Sequence, residues 1–267
     1  MFWINGEPQQ QIAVSDRALQ YGDGCFTTAR LREGKIDWLE AHLQRLREAT
    51  SVLKINGLDW RLLKLEMQAA AQSWTQPEGV LKVILSRGAG GRGYSGANCH
   101  QPTRIMMLAP APGHYAALRE SGVRLATSPV RLGINPLLAG IKHLNRLEQV
   151  LIRTELEQSE AEEALVLDIE GRLVECCAAN LFWRKQKHLF TPALRGAGVN
   201  GIMRRHVIGL ARRHGYLCHE VREQPEVLAE AEEVFITNAL MPLLPVRQID
   251  NWHYQSRMLY QLLAPDC

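Results

Sequence analysis

The stretch Leu137-Leu138-Ala139-Gly140-Ile141-Lys142-His143-Leu144-Asn145-Arg146 is where the reading of this chain begins. Lys142 follows five uncharged residues and precedes a helical pattern expected over 144–157. Desolvation among apolar neighbours disfavours the ammonium form of a lysine, which suits an amine that must form an imine. An ordinary lysine whose stem lies along apolar surface at a helix start explains the same stretch. The partners that imine chemistry requires must therefore be sought elsewhere in the chain.

Toward the C-terminus, Leu173-Val174-Glu175-Cys176-Cys177-Ala178-Ala179-Asn180-Leu181-Phe182 sets Glu175 at a strand end. No cation stands near it in sequence, and small or apolar residues follow. Such a carboxylate is costly to bury without a partner, either a protonated ring nitrogen or an arginine from elsewhere in the fold. Val199-Asn200-Gly201-Ile202-Met203-Arg204 places Gly201 and the Ile202 N–H at the start of a helix expected to run to about Arg213, a ready anion site. Thr237-Asn238-Ala239 follows a strand and offers a hydroxyl and an N–H, and Arg45 on an amphipathic helix offers charge. Glycine at helix starts and arginine on helix faces are both common, so each feature is weak by itself. A lysine, an anion for a ring nitrogen and an anion cradle are together what pyridoxal 5'-phosphate asks of a protein.

Between two expected strands, 80–85 and 104–108, runs Arg87-Gly88-Ala89-Gly90-Gly91-Arg92-Gly93-Tyr94-Ser95. It is too glycine-rich for helix or strand. Glycines let a backbone approach a ligand, and arginine pairs with carboxylates through parallel N–H groups. A surface loop whose arginines bind nothing is the plainer reading of the same residues.

Six motifs in order carry a resemblance: Tyr21-Gly22-Asp23-Gly24-Cys25-Phe26, His42-x-x-Arg45-Leu46, Lys142-x-x-Asn145, Glu175 with Asn180-Leu181-Phe182, Gly201-Ile202-Met203-Arg204, and Thr237-Asn238-Ala239. The chain resembles the fold-type IV pyridoxal-phosphate enzymes along nearly its whole length. The resemblance implies Lys142 as the imine lysine and Glu175 as the partner of the pyridine nitrogen. It implies a phosphate cradle from Arg45, Gly201, Ile202, Thr237 and Asn238. It also implies a homodimer with sites near the subunit interface. Within the family, the 87–95 loop and the 138–148 stretch are similar to those of the 4-amino-4-deoxychorismate lyases. That likeness implies loss of pyruvate from 4-amino-4-deoxychorismate to leave 4-aminobenzoate, a folate precursor. Arg92, Arg87, Tyr94 and Phe26 are then the expected substrate contacts, Arg92 before Arg87. The Arg-x-His carboxylate trap of D-amino acid aminotransferases does not occur between Arg87 and His100. Cys176, Cys177 and Ala179 stand where many relatives carry hydroxyl residues, so no hydroxyl contact to the cofactor is expected from them. A branched-chain or D-amino acid aminotransferase, and a non-catalytic protein retaining the fold, are the alternatives.

The rest of the chain sets limits. Its 267 residues, 46% hydrophobic, can bury a large core. A net charge of +3, with Lys and Arg interspersed among Glu and Asp, does not suggest a nucleic-acid surface. The N-terminal residues lack a signal-peptide pattern, and no apolar stretch is long enough to span a bilayer. Six cysteines with neither Cys-x-x-Cys nor zinc-like spacing suggest thiols in the reducing cytoplasm and no metal site. Hairpin-forming strands mixed with helices predict an α+β fold with mixed or antiparallel sheets and flanking helices. The expected division is a smaller N-terminal domain over 1–109, a linker over 110–121 and a larger cofactor-binding domain over 122–267.

Overall fold

The computed structural model describes every residue from Met1 to Cys267. The chain forms two compact units, Met1–Pro112 with Ile141–Asn145, and Gly113–Gly140 with Arg146–Cys267. No helix is long and apolar enough to cross a membrane.

The first unit contains β1 (Phe2–Ile4), β2 (Glu7–Pro8), α1 (Arg17–Tyr21), β3 (Gly24–Arg32), β4 (Lys35–Ile36), α2 (Leu39–Val52), α3 (Trp60–Gln72), β5 (Glu78–Ser86) and β6 (Thr103–Pro110). Its six strands lie in the order β2-β1-β6-β5-β3-β4, and every neighbouring pair is antiparallel. Strand β3 alternates, burying Cys25, Thr27, Ala29 and Leu31 on one face, the period-two pattern of a half-buried strand. Leu43 and Leu46 of α2 and Leu63 and Met67 of α3 pack into the same core at helical spacing. Each is completely buried, a contribution of about 1.5–3 kcal/mol apiece. Strand β4 ends at Ile36 because Trp38 turns left-handed, with φ of 51°, where α2 begins.

The second unit contains α4 (Tyr115–Ser121), β7 (Val123–Thr127), α5 (Leu147–Leu156), β8 (Glu163–Leu167), β9 (Leu173–Cys176), β10 (Asn180–Lys185), β11 (His188–Pro192), α6 (Ile202–Arg213), β12 (Leu217–Val221), β13 (Glu233–Thr237), β14 (Leu244–Ile249), β15 (Trp252–His253) and α7 (Met258–Leu263). Its nine-stranded sheet runs β12-β11-β10-β13-β14-β7-β8-β9, with β15 against β14. The β11–β12, β14–β7 and β7–β8 pairs are parallel and the others antiparallel, so the α+β class with mixed sheets holds. Phe182 and Phe235 face each other across β10 and β13. Their rings stack at 5.2 Å, a pair worth about 0.5–1.5 kcal/mol beyond its buried area.

Two boundaries differ from the sequence reading. The segment 110–121, expected as a linker, carries α4, whose Tyr115 and Leu118 pack onto the core of the second unit. Residues 141–145, expected in the C-terminal domain, return to the first unit. Ile141 joins its core, and Lys142 and Leu144 pair with β3. This five-residue excursion produces no shift in composition that a sequence reading could detect.

Candidate active site

The two units carry separate parts of the predicted constellation, and each is described by itself. In the first unit Lys142 lies in an extended segment beside the start of β3, and α5 begins only at Leu147. The Phe26 N–H donates to the Lys142 carbonyl at 2.9 Å, and the Leu144 N–H donates to the Gly24 carbonyl at 3.0 Å. Asn145, the last residue of the Lys-x-x-Asn motif, donates its side-chain amide to the Gly22 carbonyl at 3.2 Å. These bonds fix the backbone on both sides of Lys142. Its half-buried side chain lies over the Phe26 ring, with Nζ 4.7 Å from the centroid. The structure thus brings together Lys142 and Phe26, two of the expected site residues.

Strand alternation sends the next residue, Thr27, to the opposite face. There its hydroxyl accepts a hydrogen bond from Arg45 Nη2 and lies 2.6 Å from His42 Nδ1. The Thr27 hydroxyl thus bonds both the Arg45 guanidinium and the His42 ring. Burial, reinforced by the Arg45 charge, holds the His42 pKa down at about 3. His42 is thus a neutral prop beneath Thr27 and the buried Arg45.

The glycine-rich loop is anchored through residues that the sequence reading did not single out. Arg17 donates from Nε to Asp23 at 2.8 Å, and its two terminal nitrogens donate to the carbonyls of Gly93, Tyr94 and Ser95 at 3.0–3.2 Å. Arg87 grips the same Asp23 with two bonds, at 2.7 and 3.0 Å, and donates to the carbonyls of Leu53 and Lys54 at 2.7 Å. The Asp23 carboxylate is held below the usual range by these two arginines, against the opposing effect of burial. Expected as a substrate contact, Arg87 instead has four of its five N–H donors engaged within the unit. Arg92 and Tyr94 are exposed, Tyr94 at 90%, and the Tyr94 ring lies 5.5 Å from that of Tyr21.

In the second unit Glu175 is buried at the end of β9, and its Oε2 accepts the Val199 N–H at 2.8 Å. The half-buried Arg146 lies within electrostatic reach: burial lowers its pKa, and Glu175 is the first charge to oppose that. Arg146 is thus an arginine whose charge acts on Glu175. Asn180 donates to the Val199 carbonyl at 2.8 Å. A side chain at Gly201 would bring Cβ within 2.1 Å of Asn180 Oδ1, so this helix start accepts only glycine. Gly201 caps α6 without a side-chain hydrogen bond. The first-turn N–H groups from Ile202 onward have no acceptor within the helix, a donor set suited to an anion. Thr237 is fully buried and donates to the Pro242 carbonyl. Asn238 accepts from the N–H groups of Leu240 and Met241 at 2.9 and 2.8 Å and donates to the Ala178 carbonyl at 3.1 Å. It braces the turn after β13 against the segment following Glu175. A buried carboxylate bonded to Val199, three residues ahead of the helix-start donors of α6, fits a ring with a protonated nitrogen and a phosphate arm.

Sequence reasoning gave no role to Arg17, Asp23, Thr27, His42 or Arg146. Asp23 and His42 stood within quoted motifs, Tyr21-Gly22-Asp23-Gly24 and His42-x-x-Arg45, and those motifs were their signal.

Fold and site together define a class. The amino-transferase class IV family model matches residues 24–249, and the chain belongs to that family. Over 249 residues it is 39% identical to the aminodeoxychorismate lyase of Vibrio harveyi, covering 93% of this chain and 91% of that protein. Its identity to the aminodeoxychorismate lyase of Bacillus subtilis is 24% over 267 residues, covering 96% and 89%. The crystal structure of 4-amino-4-deoxychorismate lyase from Pseudomonas aeruginosa superposes with a TM-score of 0.93 at 38% identity, covering 100% of this chain and 99% of that one.

Proposed function

We propose that this protein is a pyridoxal-phosphate-dependent lyase that removes pyruvate from 4-amino-4-deoxychorismate and leaves 4-aminobenzoate. The observation that carries this reading is the 39% identity to a lyase of that name across 93% of the chain. The local setting of Lys142 and Glu175 adds physical support.

When bound, pyridoxal phosphate supplies an electron sink for the pair left by a broken C–H bond next to the substrate nitrogen. Lys142 would hold the cofactor, and its Nζ would take the proton from the amine-bearing ring carbon of the substrate. The C–O bond to the three-carbon arm then breaks and the six-membered ring becomes aromatic, which drives the elimination. Lys142 is also placed to return a proton to the departing enol, giving pyruvate. The Glu175 carboxylate would keep the pyridine nitrogen protonated. The first turn of α6, with Gly201 and Ile202, would bind the phosphate, and Arg45, Thr237 and Asn238 would support that cradle. Arg92 holds a substrate carboxylate, with Phe26 and Tyr94 as apolar neighbours of the substrate.

The protein works as a homodimer in the cytoplasm. Leu147, Val150 and Leu151 form an exposed apolar stripe on α5, at spacings of three and four, that a second copy would cover. No disulfide joins any of the six cysteines, as suits a reducing compartment. Sedimentation of a fully active monomer at micromolar concentration would overturn the dimer.

Incubation of the purified holoenzyme with 4-amino-4-deoxychorismate tests the activity. Equal amounts of pyruvate and 4-aminobenzoate are expected without an added oxo acid. A requirement for an amino-group acceptor, with the cofactor left in its amine form, would identify an aminotransferase instead.

A further inference from the structure

We infer that Arg17 is the positioning residue that shapes the substrate-carboxylate loop, with Asp23 as the anchor that aims it. The inference rests on the reading above in which Arg92 of that loop meets a substrate carboxylate.

Arg17 lies in α1, outside the loop and distant from it in sequence, yet it is only 4% exposed. One side of its guanidinium is fixed by Asp23, whose Oδ2 accepts from Arg17 Nε at 2.8 Å and from Arg87 Nε at 2.7 Å. The Tyr21 ring lies beneath the guanidinium, 4.8 Å from its carbon to the centroid. The remaining fork gathers three consecutive carbonyls, those of Gly93, Tyr94 and Ser95. Together with the Ser95 N–H, which donates to the Arg92 carbonyl at 3.2 Å, this closes a tight turn with Arg92 at its start. A Cβ at Gly91 would come within 2.1 Å of the Ser95 oxygen and 3.1 Å of Arg17 Nη1, so the turn closes directly onto the guanidinium.

The arrangement has an electrostatic consequence. Three peptide carbonyls that would repel an approaching carboxylate are turned toward a buried cation. An ammonium group cannot substitute for it, because three carbonyls and one carboxylate need a planar fork with donors in several directions. The geometry makes Arg17 a determinant of substrate affinity and gives it no part in holding the cofactor.

The test compares Arg17→Lys with Arg92→Ala in the holoenzyme, with three readouts. These are the visible absorbance of the bound cofactor, amide hydrogen exchange of peptides covering residues 88–98, and the separate values of KM and kcat. For Arg17→Lys the absorbance should be unchanged. The loop amides should exchange at least about tenfold faster, while peptides from β5 and β6 stay protected. KM should rise about tenfold with kcat changed much less, the split expected when a binding element is loosened and the chemistry is intact. Unchanged loop exchange in Arg17→Lys would overturn the assignment, since another contact would then hold the turn. A normal KM in Arg17→Lys alongside a raised KM in Arg92→Ala would also overturn it and leave the loop's substrate role standing. A normal KM in both variants would instead show that the loop is not the carboxylate site, so that the underlying reading fails.

Discussion

Phe26 and Lys142 are joined twice, by a backbone hydrogen bond of 2.9 Å and by the approach of the lysine Nζ to 4.7 Å from the ring centroid. The first contact fixes the lysine backbone against a strand, and the second gives the long side chain a surface to lie on. A lysine carries about 2 kcal/mol of rotamer freedom, and an amine that must act at one carbon benefits from losing it beforehand.

Borohydride reduction of the holoenzyme followed by peptide mapping should place the pyridoxyl group on Lys142. Label on another lysine would end the assignment. Lys142→Ala should lose at least about 10²–10⁴-fold in turnover, the usual contribution of a positioned general acid–base group.

Glu175→Gln should lower turnover far more than it lowers cofactor occupancy, because an amide cannot stabilise a protonated ring nitrogen. The amide can still accept the Val199 N–H, so the helix start at Gly201 should stay in place. Near-normal turnover in this variant would make Glu175 a structural partner of Arg146.

Arg92 and Arg87 should separate by readout. Arg92→Ala should raise KM roughly ten- to a hundredfold, the loss of one charge-assisted pair, with little change in Tm. Arg87→Ala leaves the carbonyls of Leu53 and Lys54 without that donor and Asp23 with Arg17 alone, and should cost about 2 kcal/mol of stability. Thermal melts and saturation curves on both variants check this. An Arg87→Ala variant that melts like the parent but fails to saturate would reverse the two roles.

Glu163 predicts a pH dependence of stability. Burial pushes its pKa from an ordinary 4.5 up to about 7, against the N–H groups of Ala164 and Ala178 that favour ionisation. The folded state therefore holds this proton more tightly than the unfolded chain. The stabilisation is fully present below about pH 4.5 and is lost as pH rises toward 7. Glu163→Gln, which mimics the protonated form, should gain on the order of 1–2 kcal/mol over the parent at pH 8 and nothing at pH 4.5. Denaturant titrations at the two pH values check it, and a gain of the same size at both would show that ionisation is not the cause.

The sequence by itself determined the secondary elements with strong periodicity and the chemistry they could carry. Gly201 opens a helix that ends at Arg213 as expected, and the strands expected over 80–85 and 104–108 fall within β5 and β6; each of these signals is local. Lys142 and Glu175 stood out because a charged group beside apolar residues needs a partner wherever the chain goes. Tertiary structure decided what depends on distant residues meeting. Strand β12, with polar residues interrupting its apolar positions, exists because β11 lies parallel beside it. Residues 141–145 belong to the first unit because β3 offers them unpaired backbone groups. Arg87 and Arg92 are both candidates in the sequence, Arg92 before Arg87, and only the folded chain gives Asp23 to Arg87 and leaves Arg92 exposed. Arg17 lies 76 residues from Gly93 along the chain, and no local pattern could announce that its guanidinium holds that loop. Hydrogen bonds act over about 3 Å in space irrespective of distance in sequence, so the residues that shape this loop became visible only once the chain had folded.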